Sequence, residues 1–244
     1  MEIPLTSDFS VKFIINLLRG NAFNERTIVT LIETLVASSN ELLGDKFWWL
    51  GNEFWIEKEV NPWELKDFVS EERRRELEIF YPRFIHPMQP DIDILFGPEV
   101  NNERLTPLTA VEVKLFKTEG GRVMPKAGWR GFYEGIGEAM ALLTFGFDFV
   151  ELWQLFFIPR EEEKIWRRLD HSATYTVLVK NLIERLKLPL GYRCFTMMEY
   201  NGKIWLHEEC RILPKKNPFL EGYALKIRSL IKDALNVKEG NEGR

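Results

Sequence analysis

The sequence predicts an α/β protein, a sheet covered by helices on both faces and followed by an α-β-β-α extension at the C-terminal end. Three observations carry this. Apolar residues recur at helical spacing over 25–43, 129–145 and 220–235. Alternating or nearly continuous apolar runs mark 91–96, 108–116 and 149–158. Segments long enough to be crossover helices separate several of the strands. With 244 residues, 45% of them apolar and 13% aromatic, the chain can bury a large core. The expected organisation is a single domain over 1–244, with a core at about 25–158 and the extension at about 159–236.

Each element has a local cause. Asn24 suits an N-cap, Gly44 suits the residue past a helix end, and Ile28, Leu31, Ile32, Leu35 and Val36 stripe the helix between them, 25–43. A shorter helix is expected over about 9–19. Trp48, Trp49, Phe54, Trp55 and Ile56 predict a strand over 47–60, and the charged stretch 64–80 an exposed helix. Pro82 and Pro87 interrupt the chain, after which 91–96 reads as a short strand ended by Gly97-Pro98. Residues 108–116 form the cleanest strand pattern. A helix over 129–145 should stop at Gly146, and 149–158 reads as a buried strand. Beyond Pro159 the expectation is a helix at about 172–187, then a hairpin turning at Asn201-Gly202 between 191–200 and 203–209. A last helix over 220–235 precedes a tail that frays from Lys238.

Composition excludes several classes. The apolar content rules out intrinsic disorder, and two cysteines cannot make a disulfide scaffold. No stretch of membrane-spanning length lacks charges, and the start of the chain lacks the basic-then-apolar layout of a signal peptide, so a cytoplasmic chain is expected. Lys plus Arg number 33 against 37 Asp plus Glu, a net charge of −4, which excludes coating of nucleic acid by bulk charge. The charge is uneven. Residues 1–100 carry 10 basic and 18 acidic side chains, 101–150 carry 6 of each, and the remainder 17 and 13. A polyanion would therefore lie against the later segments. The 29 Glu against 2 Gln fit a heat-adapted source.

Strand alternation locates the chemistry. In 108–116, Val111, Val113 and Leu115 share one face, so Glu112 and Lys114 share the other. Asp91 and Asp93 are likewise two apart. If the two strands pair, their carboxylates come to lie beside Glu112 and Lys114. Charges inside apolar strands are costly unless they pair or hold a metal. Three carboxylates and a lysine make a hard-cation site, suited to Mg2+ or Mn2+. The plainer alternative is a strand-edge ion pair at Glu112–Lys114 with Asp91 in a turn.

Pro90-Asp91 followed by Glu112-Val113-Lys114 resembles the PD-(D/E)XK nuclease superfamily, the restriction-endonuclease-like fold. That family's core of helix, three strands, helix and strand, built on a mixed central sheet flanked by helices, is similar to the order expected over 25–158. Tyr133 to Ala139 and Gly146-Phe147-Asp148 look like the family's Gly- and Ala-rich helix and the turn after it, with Glu138 where a glutamine is usual. The resemblance implies a divalent-metal-dependent nuclease that hydrolyses phosphodiester bonds, in DNA rather than RNA. It implies metal ligands at Asp91 or Asp93, or both, and at Glu112, with the Val113 carbonyl, and a Lys114 that assists the attacking water. An acid from the first helix, for which Glu33 is favoured, would complete the set.

Lys117, Arg122, Lys126 and Arg130 follow the site across Gly120-Gly121 with one acid, Glu119, among them. They are candidates to track a phosphate backbone, or equally a solvated loop. Gly131, Gly135 and Gly137 either allow close packing on the sheet or let a substrate approach. His86, His171 and His207 show no zinc spacing. A hairpin turning at 201–202 pairs Cys194 with Glu209 and Cys210 with Arg193, which sets the cysteines on opposite faces and makes a disulfide unexpected. Two rival readings keep the fold: an inactive nucleic-acid-binding module, and a protein-interaction subunit. Homodimerisation fits any of them.

Overall fold

Among the described residues of the computed structural model (2–4, 25–38, 54–61, 70–72, 75, 91–101, 103–119, 122–124, 129–158, 176–200 and 203–242), nine strands join in one mixed sheet. In chain order the elements are β1 (Glu2–Pro4), α1 (Glu25–Ser38), β2 (Phe54–Val60), β3 (Ile92–Val100), β4 (Glu103–Arg104) and β5 (Thr109–Glu119). β6 (Arg122–Met124), α2 (Trp129–Thr144), β7 (Phe149–Ile158) and α3 (176–185) come next. β8 (Gly191–Tyr200), β9 (Lys203–Ile212) and α4 (Tyr223–Glu242) complete the chain. The strand order is β1-β9-β8-β7-β5-β3-β2, with β4 on β3 and β6 on β5. β5, β7 and β8 run parallel, with α2 in the first crossover and α3 in the second, while the other pairings are antiparallel.

The two faces are packed separately. On one, Leu95, Ala110, Leu152, Phe156 and Tyr192 meet apolar side chains of α2, α3 and α4. On the other, Ile94, Val111, Val113 and Trp153 meet Ile28, Val29, Leu31 and Ile32 of α1. Central strands buried on both faces explain why β7 reads as an almost unbroken apolar run. No helix among the described residues is long and apolar enough to cross a membrane.

The α/β class and its flanking helices match the expectation, and β7 has the predicted limits. β3 differs. It passes through Gly97-Pro98 to Val100, because Pro98 sits opposite Phe54 on the edge strand β2 and its carbonyl accepts the Leu105 N–H at 2.9 Å. Gly97 is needed there, since a Cβ would lie 3.0 Å from the Leu105 carbonyl oxygen. Residues 117–119 and 122–124, expected as loop, pair as β5 and β6. α4 runs on to Glu242 rather than fraying at Lys238. The helix expected at 9–19, residues 39–53 and most of 64–80 lie outside the described residues.

The C-terminal segment extends the main sheet, and α4 packs back onto the α2–β7 turn. Gly146 has φ +79°, and a Cβ on it would stand 2.1 Å from the Ala224 carbonyl oxygen. Asp148 accepts the Leu108 N–H at 2.8 Å and pairs with Arg228 of α4 at 2.6 Å. The Asn217 side-chain amide donates to the Leu143 and Phe147 carbonyls, both at 2.8 Å, and so ties the segment before α4 to the end of α2 and the turn after it.

Candidate functional site

β3 and β5 pair antiparallel with Ile94 opposite Val111, Leu95 opposite Ala110 and Phe96 opposite Thr109. Continuing that register puts Asp93 beside Glu112, and their charges do interact. Where backbone pairing stops, the Asp93 Oδ2 accepts the Val113 N–H at 2.6 Å. A residue in an extended strand turns its N–H and C=O to the same edge, so the Val113 carbonyl faces β3 as well.

Glu112 and Lys114 project from β5 onto the face covered by α2. The Lys114 Nζ lies 2.7 Å from Glu112 Oε1 and 2.7 Å from Glu138 Oε2, which α2 contributes. Gly135, one helical turn before Glu138, makes this approach feasible, because a Cβ there would come within 2.8 Å of Lys114 Cγ and 3.2 Å of Leu152 Cδ1. The close-packing explanation thus holds for Gly135. Gly137 has nothing within 4 Å of such a Cβ.

Electrostatics separate the two glutamates. Glu112 is buried and Glu138 is partly open to solvent. Burial first, then the Asp93 charge, holds the Glu112 carboxyl well above the usual carboxylate range, outweighing the opposing pull of Lys114. Burial would also raise Glu138, but its bonds to Glu112 and Lys114 bring it lower. The charged form is thus disfavoured at Glu112 and favoured at Glu138.

Of the residues expected in the site, Asp93, Glu112, Val113 and Lys114 come together. Asp91 precedes β3 and is exposed. Glu33 is on α1, which covers β2, β3 and β5 on the face opposite Glu112, and its side chain lies outside the described residues. Lys117 and Arg122 belong to the β5–β6 hairpin and Arg130 to the first turn of α2, again without described side chains, and Lys126 lies outside the described residues. Glu138 is the member for which sequence reasoning had no role. Its signal was an acid three residues after a glycine on the helix that faces the Glu112 strand. Among the described residues, no three His, Cys, Asp or Glu stand together as a metal-holding group. Mg2+ is commonly bound through only one or two carboxylates and several waters, a set that Asp93, Glu112 and the Val113 carbonyl can supply.

A second charged group is buried on the opposite face. Glu151 accepts the Trp153 indole N–H. Arg193 stacks over Trp153 and Phe195, with its guanidinium carbon 4.7 and 4.8 Å from the ring centres, and bonds Glu208 at 2.9 Å. Arg211 also pairs with Glu208, at 2.6 Å. Burial pushes the Glu151 carboxyl up to about 7, against the pull of Arg193. Glu151 was visible in the sequence as the acid interrupting an apolar run, but its arginine partner comes from β8, about forty residues further on.

No protein-family model, curated protein or solved structure matches this chain.

Proposed function

We propose that the protein is a divalent-metal-dependent nuclease with a restriction-endonuclease-like core, acting on DNA. The observation that carries this reading is the meeting of Asp93, Glu112 and Lys114 on one face of two adjacent strands, with Glu112 buried where its charged form is disfavoured. The order α1, β2, β3, β5, α2, β7 supports it, since it follows that family's succession of helix, three strands, helix and strand.

Asp93, Glu112 and the Val113 carbonyl would hold the cation. Mg2+ or Mn2+ supplies Lewis-acid polarisation of the phosphate and acidifies a water at neutral pH. Lys114, held from two sides by Glu112 and Glu138, orients the attacking water and offsets charge developing on the phosphate. Lys117 and Arg122 of the β5–β6 hairpin, which continues β5 beyond Lys114, and Arg130 of α2 would meet the backbone of the nucleic acid.

The test is cleavage of single-stranded, duplex and branched DNA, and of RNA, with Mg2+ or Mn2+. Activity should require the metal and fall by roughly 100-fold or more in Glu112→Ala and Lys114→Ala, the scale of losing a preorganised electrostatic contact. Absence of cleavage on every substrate would remove the enzymatic reading. Salt-dependent binding without cleavage would leave a nucleic-acid-binding module in its place.

A further inference from the structure

Cys194 and Cys210 stand directly opposite each other across β8 and β9. The ladder that starts at Tyr200 opposite Lys203 would set Cys194 against Glu209. An irregularity between Cys194 and Phe195 leaves Glu209 out of the pairing and brings Cys210 into register. The sequence expectation of cysteines on opposite faces is corrected by this one extra residue. Directly opposed residues of an antiparallel pair have Cα atoms roughly 4.5–5.5 Å apart, inside the window of about 4.4–6.8 Å that disulfides occupy. Both residues are thiols here. α3 lies over them. Its Thr176 Oγ1 donates to the Cys194 sulfur at 3.0 Å, and its Lys180 and Glu184 act on Cys210.

We propose that Cys194 and Cys210 form a redox-sensitive staple, which closes on mild oxidation as a cross-strand disulfide and releases Thr176, loosening the start of α3. The proposal is independent of the nuclease reading. Cys194 is fully buried and Cys210 partly open, so an oxidant meets Cys210 first. Burial raises both thiols, and that of Cys194 goes up to about 12, so accessibility and charge both favour Cys210 as the first nucleophile. With glutathione disulfide as oxidant, the Cys210 thiolate attacks one of its sulfurs, forming a mixed disulfide and expelling a glutathione thiolate. Cys194 then attacks the Cys210 sulfur, its proton passing to the departing thiolate, and a second glutathione leaves. Two protein thiols are oxidised and one glutathione disulfide is reduced to two glutathiones. The Cys194 sulfur must turn from Thr176 toward β9 to make the new bond.

The experiment treats the full chain with glutathione disulfide, alkylates the remaining thiols and maps the peptides by mass, with hydrogen exchange followed in parallel. A peptide pair linked through Cys194 and Cys210, both thiols lost to alkylation, and exchange over residues 176–185 accelerated roughly tenfold and restored by dithiothreitol are the expected results. Cys210→Ser should show neither the link nor the change in exchange. A glutathione adduct that persists on Cys210 with Cys194 still alkylatable, or no reaction at either thiol, overturns the staple. A link formed without altered exchange over 176–185 overturns its coupling to α3.

Discussion

The carboxylate of Asp93 accepts the backbone N–H of Val113 at 2.6 Å, so a side chain takes over from the ladder where β3 and β5 cease to pair. Val113 is fully buried, and its N–H would otherwise lose its partner. Asp93 therefore has a structural duty alongside its proposed role toward a cation.

Two substitutions separate those duties. Asp93→Ala should cost about 1–3 kcal/mol, the penalty of stranding a buried donor. Asp93→Asn keeps a carbonyl acceptor for Val113 and should melt close to the parent. Both should lose metal-dependent cleavage, because both remove the charge. Denaturant melts combined with Mg2+ titrations of activity check this. Full cleavage by Asp93→Asn would exclude Asp93 as a ligand.

The glycines of α2 predict opposite outcomes two residues apart. In Gly135→Ala the new methyl presses on the middle of the Lys114 stem. The expected overpacking loss of about 1–3 kcal/mol exceeds the roughly 1 kcal/mol that alanine returns in helix propensity. Activity should fall further than stability, since Lys114 is pushed off Glu138. Gly137→Ala meets open space and should raise stability by up to about 1 kcal/mol. Thermal melts of the two variants side by side are sufficient.

Glu151 predicts a pH dependence of stability. Its folded value of about 7 lies above the unfolded 4.5, so the folded state binds the proton more tightly. The associated stability is complete below about 4.5 and is lost as pH rises through about 7, a change on the order of 3 kcal/mol. Glu151→Gln, which stays neutral while retaining an acceptor for the Trp153 indole, should flatten the Tm profile across that window. Parallel profiles for parent and variant would show that Arg193 keeps Glu151 ionised throughout.

Much of this arrangement could be read from residue order. The alternation of Val111, Val113 and Leu115 put Glu112 and Lys114 on one face, and the limits of β7 followed from an apolar run that few other structures explain. What escaped depended on partners distant in sequence. The extra residue at Glu209 that realigns Cys210 has no local signature, and Gly97-Pro98 reads as a break until β2 is placed beside it. Asp91 and Asp93 were equivalent by spacing, and only the point at which β3 begins left Asp91 outside and Asp93 within. Glu138 could not be given a role until α2 was laid across β5 at Gly135.

Asp148 joins three parts of the chain, the entrance to β5 through Leu108, the start of β7, and α4 through Arg228. The residues of the proposed centre leave the ribosome well before Arg228 does. That late arginine and the Ala224 backbone close over Asp148 and Gly146, and so tie the turn between α2 and β7 to α4. A nascent chain stalled before residue 228 would carry the residues of the proposed centre but lack the ion pair that fastens Asp148 to α4.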